Sequence, residues 1–249
     1  AVLKKHPGIY HDLFREGHLF LPVCEFLKER LIREGCAEKK IVVHYSGIDC
    51  SKFEYLQRRR EPGEPTKVLT VARLMEKKGV AFAIEAVAAL LAKGEQIEYR
   101  VVGDGPLRGN LQQMIERMGI ERQVKLLGWK THEDVKRLLE ESHVMVAPSL
   151  TSEGGDQEGI PNAIKEAMAT GLPVISTFHS GIPELVTDGV SGFLVPERDA
   201  ASLSASLEYL IKHPRICGEM GLAGRRQVEQ KFDTHRLNKE LEELYLSVM

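Results

Sequence analysis

The segment Val144–Ser176, VMVAPSLTSEGGDQEGIPNAIKEAMATGLPVIS, reads as strand, loop, helix and strand. Val144–Ala147 and Val174–Ser176 are short apolar runs of the kind that form buried strands. Pro161 suits a first helical position, where its missing N–H would have no intrahelical acceptor, and Gly171 with Pro173 is the matching stop signal. A helix is therefore predicted over about 161–170. Strand–helix–strand is the repeating unit of a parallel sheet covered by helices.

The same alternation extends in both directions. Val68–Val71, Tyr99–Val102, Val124–Leu127 and Phe193–Val195 are further strand candidates, and helical patterns occupy about 79–93, 106–118 and 131–141. Three more helical stretches, about 199–212, 215–230 and 233–248, follow the last strand. The fold class is α/β, a doubly wound parallel sheet of Rossmann-like type over 67–249, beginning near Thr66. Earlier residues read differently: a strand at Leu19–Val23, a helix over Glu25–Glu34 and a strand at Ile41–His44. They lead into 49–66, with Arg58, Arg59 and Arg60 beside EPGEP, a linker by composition. A solvated run of arginines is expected there in preference to an anionic membrane contact. The final helix carries Leu237, Leu241, Leu244, Tyr245 and Val248 on one face, a stripe that core packing explains.

Composition narrows the function classes. The chain has 249 residues, 43% of them hydrophobic, enough for a buried core. A net charge of −2 without a sustained basic stripe argues against a nucleic-acid partner. Cys24, Cys36, Cys50 and Cys217 form no Cys-x-x-Cys pair, and the nine histidines are scattered, so no metal site is expected. Neither a signal peptide nor an apolar run of about 18 residues is present, which gives the expectation of a cytoplasmic protein with reduced thiols. A first residue other than Met, followed by VLKKHPGIY, gives the expectation that the chain is a piece of a longer one.

Chemistry concentrates at the start of the 161–170 helix. Glu158 lies in the loop before it and Glu166 in its second turn, with Gly159, Ile160, Pro161 and Asn162 at the helix start. Free N–H groups at such a start attract phosphate. Carboxylates accept sugar hydroxyls, so the combination suits a nucleotide-sugar diphosphate. Glu153 and Asp156 share the loop, but Glu158 alone directly precedes Gly-Ile-Pro. Gly103-Asp104-Gly105-Pro106 follows a strand and opens a helix, although Gly109 comes one residue late for a dinucleotide fingerprint and no acidic residue ends the next strand. Those departures argue against an NAD-dependent oxidoreductase. A tight turn explains the glycines.

EGIPNAIKEAMATGLPVI and VARLMEKKGV together resemble signatures of the retaining glycosyltransferases with two Rossmann-like domains, family 4, of GT-B type. The likeness covers roughly 19–249, and the long loop SEGGDQEGIPNAIKEAMA is most similar to the exopolysaccharide or colanic-acid branch. The resemblance implies that Arg73 and Lys78 hold the donor diphosphate, that Glu158 takes the donor sugar's hydroxyls and that Glu166 takes the ribose. It implies a base-contacting loop at Trp129 and Lys130, with Gly103 and Gly105 also lining the donor site. Transfer with retention, no metal or other cofactor, a UDP-hexose donor before GDP-mannose, and a saccharide or lipid-linked acceptor follow from it. So does peripheral membrane contact of the longer protein. The resemblance further implies that residues 1–48 are the tail of an acceptor-binding domain and that the last helix crosses back to it. An uncovered apolar face would then favour a homodimer. A helpful histidine from that first domain is not assignable to His6, His11, His18 or His44 by motif. Donor binding with little activity is therefore expected of the chain alone. A non-catalytic nucleotide-sugar-binding module, or a related phosphorylase or epimerase, stands as the alternative.

Overall fold

A computed structural model describes residues 8–61 and 63–248, the last two through their backbone alone. Helices α1 (His11–Glu16) and α2 (Glu25–Arg33) precede the sheet. Its six strands are β1 (Thr66–Val71), β2 (Ile97–Val102), β3 (Val124–Gly128), β4 (Val144–Ala147), β5 (Val174–Thr177) and β6 (Gly192–Val195). All neighbours run parallel, in the order β3-β2-β1-β4-β5-β6. Between successive strands lie α3 (Val80–Ala92), α4 (Arg108–Met118), α5 (His132–Glu141), α6 (Asn162–Ala169) and the one-turn α7 (Ile182–Leu185). Then α8 (Ala200–Lys212), α9 (Pro214–Lys231) and α10 (Thr234–Val248) close the chain. Each predicted strand from Val68 onward is present. The helix expected from Pro161 starts one residue later, because Pro161 is its cap with an extended ψ of 128°.

Strand side chains alternate between two cores, as a sheet covered on both faces requires. Val68, Val101, Val144 and Val146 pack with α3, α4 and α8 through Ile84, Leu111 and Leu207. Leu69, Val102, Met145 and Val174 pack on the other face with Leu139 of α5, Ile164 and Met168 of α6, and Val228 of α9. Winding reverses between β1 and β4, which makes their carboxyl ends the switch point where open α/β sheets bind ligands. The connections leaving these two strands touch. Gly79, at φ +61°, presses against the loop after β4 so closely that a Cβ there would lie 2.0 Å from the Pro148 carbonyl oxygen. Beside it the Leu150 N–H donates to the Lys77 carbonyl at 2.9 Å.

The residues ahead of the sheet correct two expectations. Leu19–Val23 and Ile41–His44 make a single parallel bridge, Phe20 to Ile41, instead of two strands. Pro22 has no N–H to donate, and a two-stranded ladder gains little without a third partner. The bridged segments and α2 dock on the sheet domain: Glu184 of α7 accepts the N–H groups of Glu25 and Phe26, at 2.9 and 3.2 Å, and the Tyr45 hydroxyl at 3.1 Å. Glu184 thus caps α2, whose own N-cap Cys24 supplies no side-chain bond.

The arginine run is not a solvated linker. Arg58 is buried and donates to the carbonyls of Glu140, Ser142 and Thr170 at 2.6, 3.1 and 2.7 Å, while Arg60 reaches Thr66 and the Ile211 carbonyl. Only Arg59 of the three is exposed. At the chain's other end, α10 begins against residues 47–48, with the Thr234 N–H on the Ile48 carbonyl at 2.9 Å. Leu237 is buried there, whereas Tyr245 is 59% exposed, and the Val248 side chain lies outside the described residues. Among the described residues no helix is long and apolar enough to cross a membrane.

Gly79→Ala is expected to lower the unfolding free energy by about 3 kcal/mol, the left-handed backbone and the overpacking each contributing. Urea unfolding of the two proteins measures this.

Candidate functional site

An open cleft of about 790 Å³ lies at the carboxyl ends of β1, β2 and β4. From the β1 connection come Arg73, Lys77 and Lys78; from β2, Gly103 and Asp104; from β3, Trp129 and Lys130. The β4 connection and the start of α6 supply Glu158, Ile160, Pro161 and Asn162. Charge is the organising feature. Glu158 Oε2 lies 2.8 Å from Lys78 Nζ, and its Oε1 lies 3.1 Å from Lys77 Nζ. Burial opposes the Glu158 charge, yet hydrogen bonding and attraction from Lys78, then Lys77, hold the carboxyl below its ordinary pKa. Oε1 is buried against Lys77.

Lys77 was not singled out by sequence reasoning. It also pairs with Asp156 at 3.1 Å; burial works against its charge, and Asp156 and Glu158 more than offset that, raising its pKa. Arg73 is exposed, and its guanidinium has no hydrogen-bond or ion-pair partner among the described residues. The amides of Gly159, Ile160, Asn162 and Ala163 likewise have no acceptor there, Pro161 having no N–H to offer. An anion entering the cleft therefore meets an unengaged cation and the unpaired N–H groups of a helix start.

Three predicted site residues stand outside the cleft lining. Gly105 serves loop packing, since a Cβ there would lie 2.4 Å from the Leu74 carbonyl oxygen. Gly103 has the same role while also lining the cleft: its Cβ would meet the Ala72 carbonyl oxygen at 1.9 Å. Gly159 faces Val23, so its side-chain position belongs to the contact with the preceding segment. Glu166 sits half-buried in the second turn of α6. Burial raises its pKa against the opposing charges of His132 and Lys165, and its carboxylate accepts no hydrogen bond from any described residue. None of His11, His18 and His44 lines the cleft, and His6 lies outside the described residues.

Lys165 connects this helix to the segment before the linker. Its side chain is fully buried, and its Nζ donates to the Ser46 carbonyl and to Asn162 Oδ1, the latter at 2.9 Å, above the Phe232 ring. Burial lowers its pKa to about 8, with Glu166 opposing. Among the described residues no three His, Cys, Asp or Glu side chains gather as a metal-binding group.

A doubly wound sheet with a cationic cleft and a free helix start at its switch point is the arrangement in which open α/β domains bind ligands. The chain belongs to the glycosyl transferases group 1 family, whose model matches residues 51–227. It is 42% identical over 243 residues to the amylovoran biosynthesis glycosyltransferase AmsK of Erwinia amylovora, covering 98% of this chain and 60% of AmsK. It is 41% identical over 249 residues to WcaL of Salmonella typhimurium, provisionally named a colanic acid biosynthesis glycosyltransferase, covering 99% of this chain and 61% of WcaL. The chain thus spans about 60% of the length of these relatives. Among solved structures, Anabaena Alr3699/HepE in complex with UDP and glucose superposes with a TM-score of 0.84 at 23% identity, covering 98% of this chain and 66% of that one. That likeness establishes the shared GT-B fold.

Lys165 makes folding depend on pH in a defined direction. Its pKa is about 8 in the folded state against 10.5 for the free side chain, so the unfolded chain binds more protons between those values and stability rises with pH across that window. Chemical denaturation at intervals from pH 8 to 10.5 should show a rise, at most about 1.4 kcal/mol per pH unit, that Lys165→Met lacks.

Proposed function

We propose that this chain carries the nucleotide-sugar-binding part of a glycosyltransferase of exopolysaccharide biosynthesis. It takes a hexose from a nucleoside diphosphate sugar, UDP-hexose in the first instance, and passes it to a saccharide or lipid-linked acceptor with retention of configuration. The observation that carries this reading is the convergence of Arg73, Lys77, Lys78, the free amides at the α6 start and Glu158 on one cleft. The names of AmsK and WcaL support exopolysaccharide as the setting, and the UDP held by HepE supports a uridine nucleotide.

Breaking the bond between the anomeric carbon and the diphosphate places negative charge on the leaving group. Arg73 and the amides of Ile160 and Asn162 are positive groups suited to receive it, without a divalent ion. Lys77 and Lys78 begin paired with Glu158, so an arriving diphosphate competes for them. As the lysines turn to phosphate, Glu158 becomes free to accept sugar hydroxyls, which a carboxylate does with charge-assisted strength. Trp129, 74% exposed at the cleft edge, offers a face for the base. Glu166, which accepts no hydrogen bond from any described residue, is left for the ribose. Same-face attack, with the leaving phosphate oxygen taking the acceptor's proton, needs no protein base; the rest of the acceptor site belongs to a partner domain supplied by the longer protein.

Thermal-shift titration with UDP, GDP, ADP and their sugars tests the donor site. Stabilisation by UDP and UDP-hexose that a chelator leaves unchanged is the expected result. Charge-assisted hydrogen bonds contribute roughly 1.5–3 kcal/mol each, so Arg73→Ala should weaken UDP binding about tenfold or more. Unchanged UDP affinity in both Arg73→Ala and Lys78→Ala would sink the reading.

A further inference from the structure

The loop that carries Glu158 contains Gly154, Gly155 and Gly159, which leave a chain segment with much conformational freedom to lose. It is nevertheless held from beneath by two side chains that do not line the cleft. His179 follows β5 and Glu197 follows β6, on adjacent strands. The His179 side chain is fully buried. Its Nε2 accepts the Glu158 backbone N–H at 3.0 Å, and its Nδ1 lies 2.6 Å from Glu197 Oε1.

These contacts assign the proton. An amide N–H only donates, so Nε2 is bare; a carboxylate only accepts, so Nδ1 carries the hydrogen. Glu197 selects that tautomer. Through Oε2 the same carboxylate accepts the Thr151 N–H at 2.8 Å. One imidazole–carboxylate pair therefore grips both ends of residues 151–158.

We propose that His179, kept in its Nδ1–H form by Glu197, is a positioning residue that orients Glu158 for the hydroxyls of the donor sugar. The inference rests on the nucleotide-sugar reading above and adds to it the groups that set the geometry of the sugar contact. Rotation of the 157–158 peptide would turn Glu158 away from Lys77 and Lys78. Anchoring that peptide in the ligand-free protein removes an ordering cost from donor binding. A histidine buried for packing alone would not direct a bare ring nitrogen at the backbone of the residue whose carboxylate enters the cleft.

Amide hydrogen exchange resolved at Glu158 reads the anchor directly, and calorimetric titration with UDP-glucose and UDP reads its consequence. His179→Ala should speed exchange at Glu158 and weaken UDP-glucose about tenfold, with a smaller change for UDP, whose diphosphate is met by Arg73. His179→Gln, whose amide offers an acceptor oxygen toward the Glu158 N–H and an NH2 donor toward Glu197, should restore slow exchange and most of the affinity. In Glu158→Ala the further change His179→Ala should cost nothing more toward UDP-glucose, since the effect runs through Glu158. Where His179→Ala does not fold, Glu197→Gln should give the same pattern to a smaller degree. Unaltered exchange at Glu158 in His179→Ala, or additive losses in the double variant, would overturn the proposal. Wild-type protein that binds no nucleotide sugar refutes the donor reading instead, while exchange still decides whether His179 anchors Glu158.

Discussion

The contact between the turn after β1 and the loop after β4 governs the rest of the site. At Gly79 there is no room for a side chain against the Pro148 carbonyl, and the two connections share a backbone hydrogen bond next to it. Parallel strands at a switch point send their connections to opposite faces, which would ordinarily leave a crevice between them. Here the crevice is narrowed at its base. Lys77 and Lys78 consequently reach Glu158 across it, and residues about 80 positions apart along the chain form one electrostatic unit.

That unit is arranged for exchange of partners. In the ligand-free cleft the two lysines and Glu158 neutralise one another, with Asp156 adding a second carboxylate to Lys77. Among the described residues Arg73 and the amides at the α6 start have no partner. The anionic ligand proposed above would therefore meet first the groups that have nothing to release. On the proposed donor reading the lysines then face a choice between phosphate and Glu158, and a Glu158 released by them exchanges ion pairs for hydroxyl hydrogen bonds, which offset part of the desolvation penalty a lone charge carries.

The docked linker shows how charge patterning misleads. Three arginines beside prolines read as solvated, since a run of like charge has no local partner. The acceptors lie elsewhere: Arg58 finds the carbonyls of Glu140, Ser142 and Thr170 at the ends of α5 and α6, and Arg60 finds Ile211 near the end of α8. Helix C-termini leave carbonyls without intrahelical donors, and a planar guanidinium satisfies several at once. Arg225 does the same between Phe53 and Ala169. Glu184 supplies the opposite service to α2 by accepting two N–H groups at its start.

What local sequence determined was the order of strands and helices and the positions of Arg73, Lys78 and Glu158. The elements and the place of Glu158 before α6 rest on periodicity and on Gly and Pro punctuation, which act over a few residues, whereas Arg73 and Lys78 are marked by the resemblance of VARLMEKKGV to a family signature. Its limits are equally physical. Pro161 marks the start of α6 but not whether it stands inside the helix, because φ is set by the ring and ψ by the surroundings. Lys77 is indistinguishable from a solvated lysine until the β4 loop faces it. Only the tertiary structure decided that His179 and Glu197 grip the Glu158 loop, that Gly105 packs backbone on backbone, and that Glu166 lies outside the cleft lining. Each of these depends on which strand ends become neighbours, and strand order is a property of the assembled sheet that no short segment encodes.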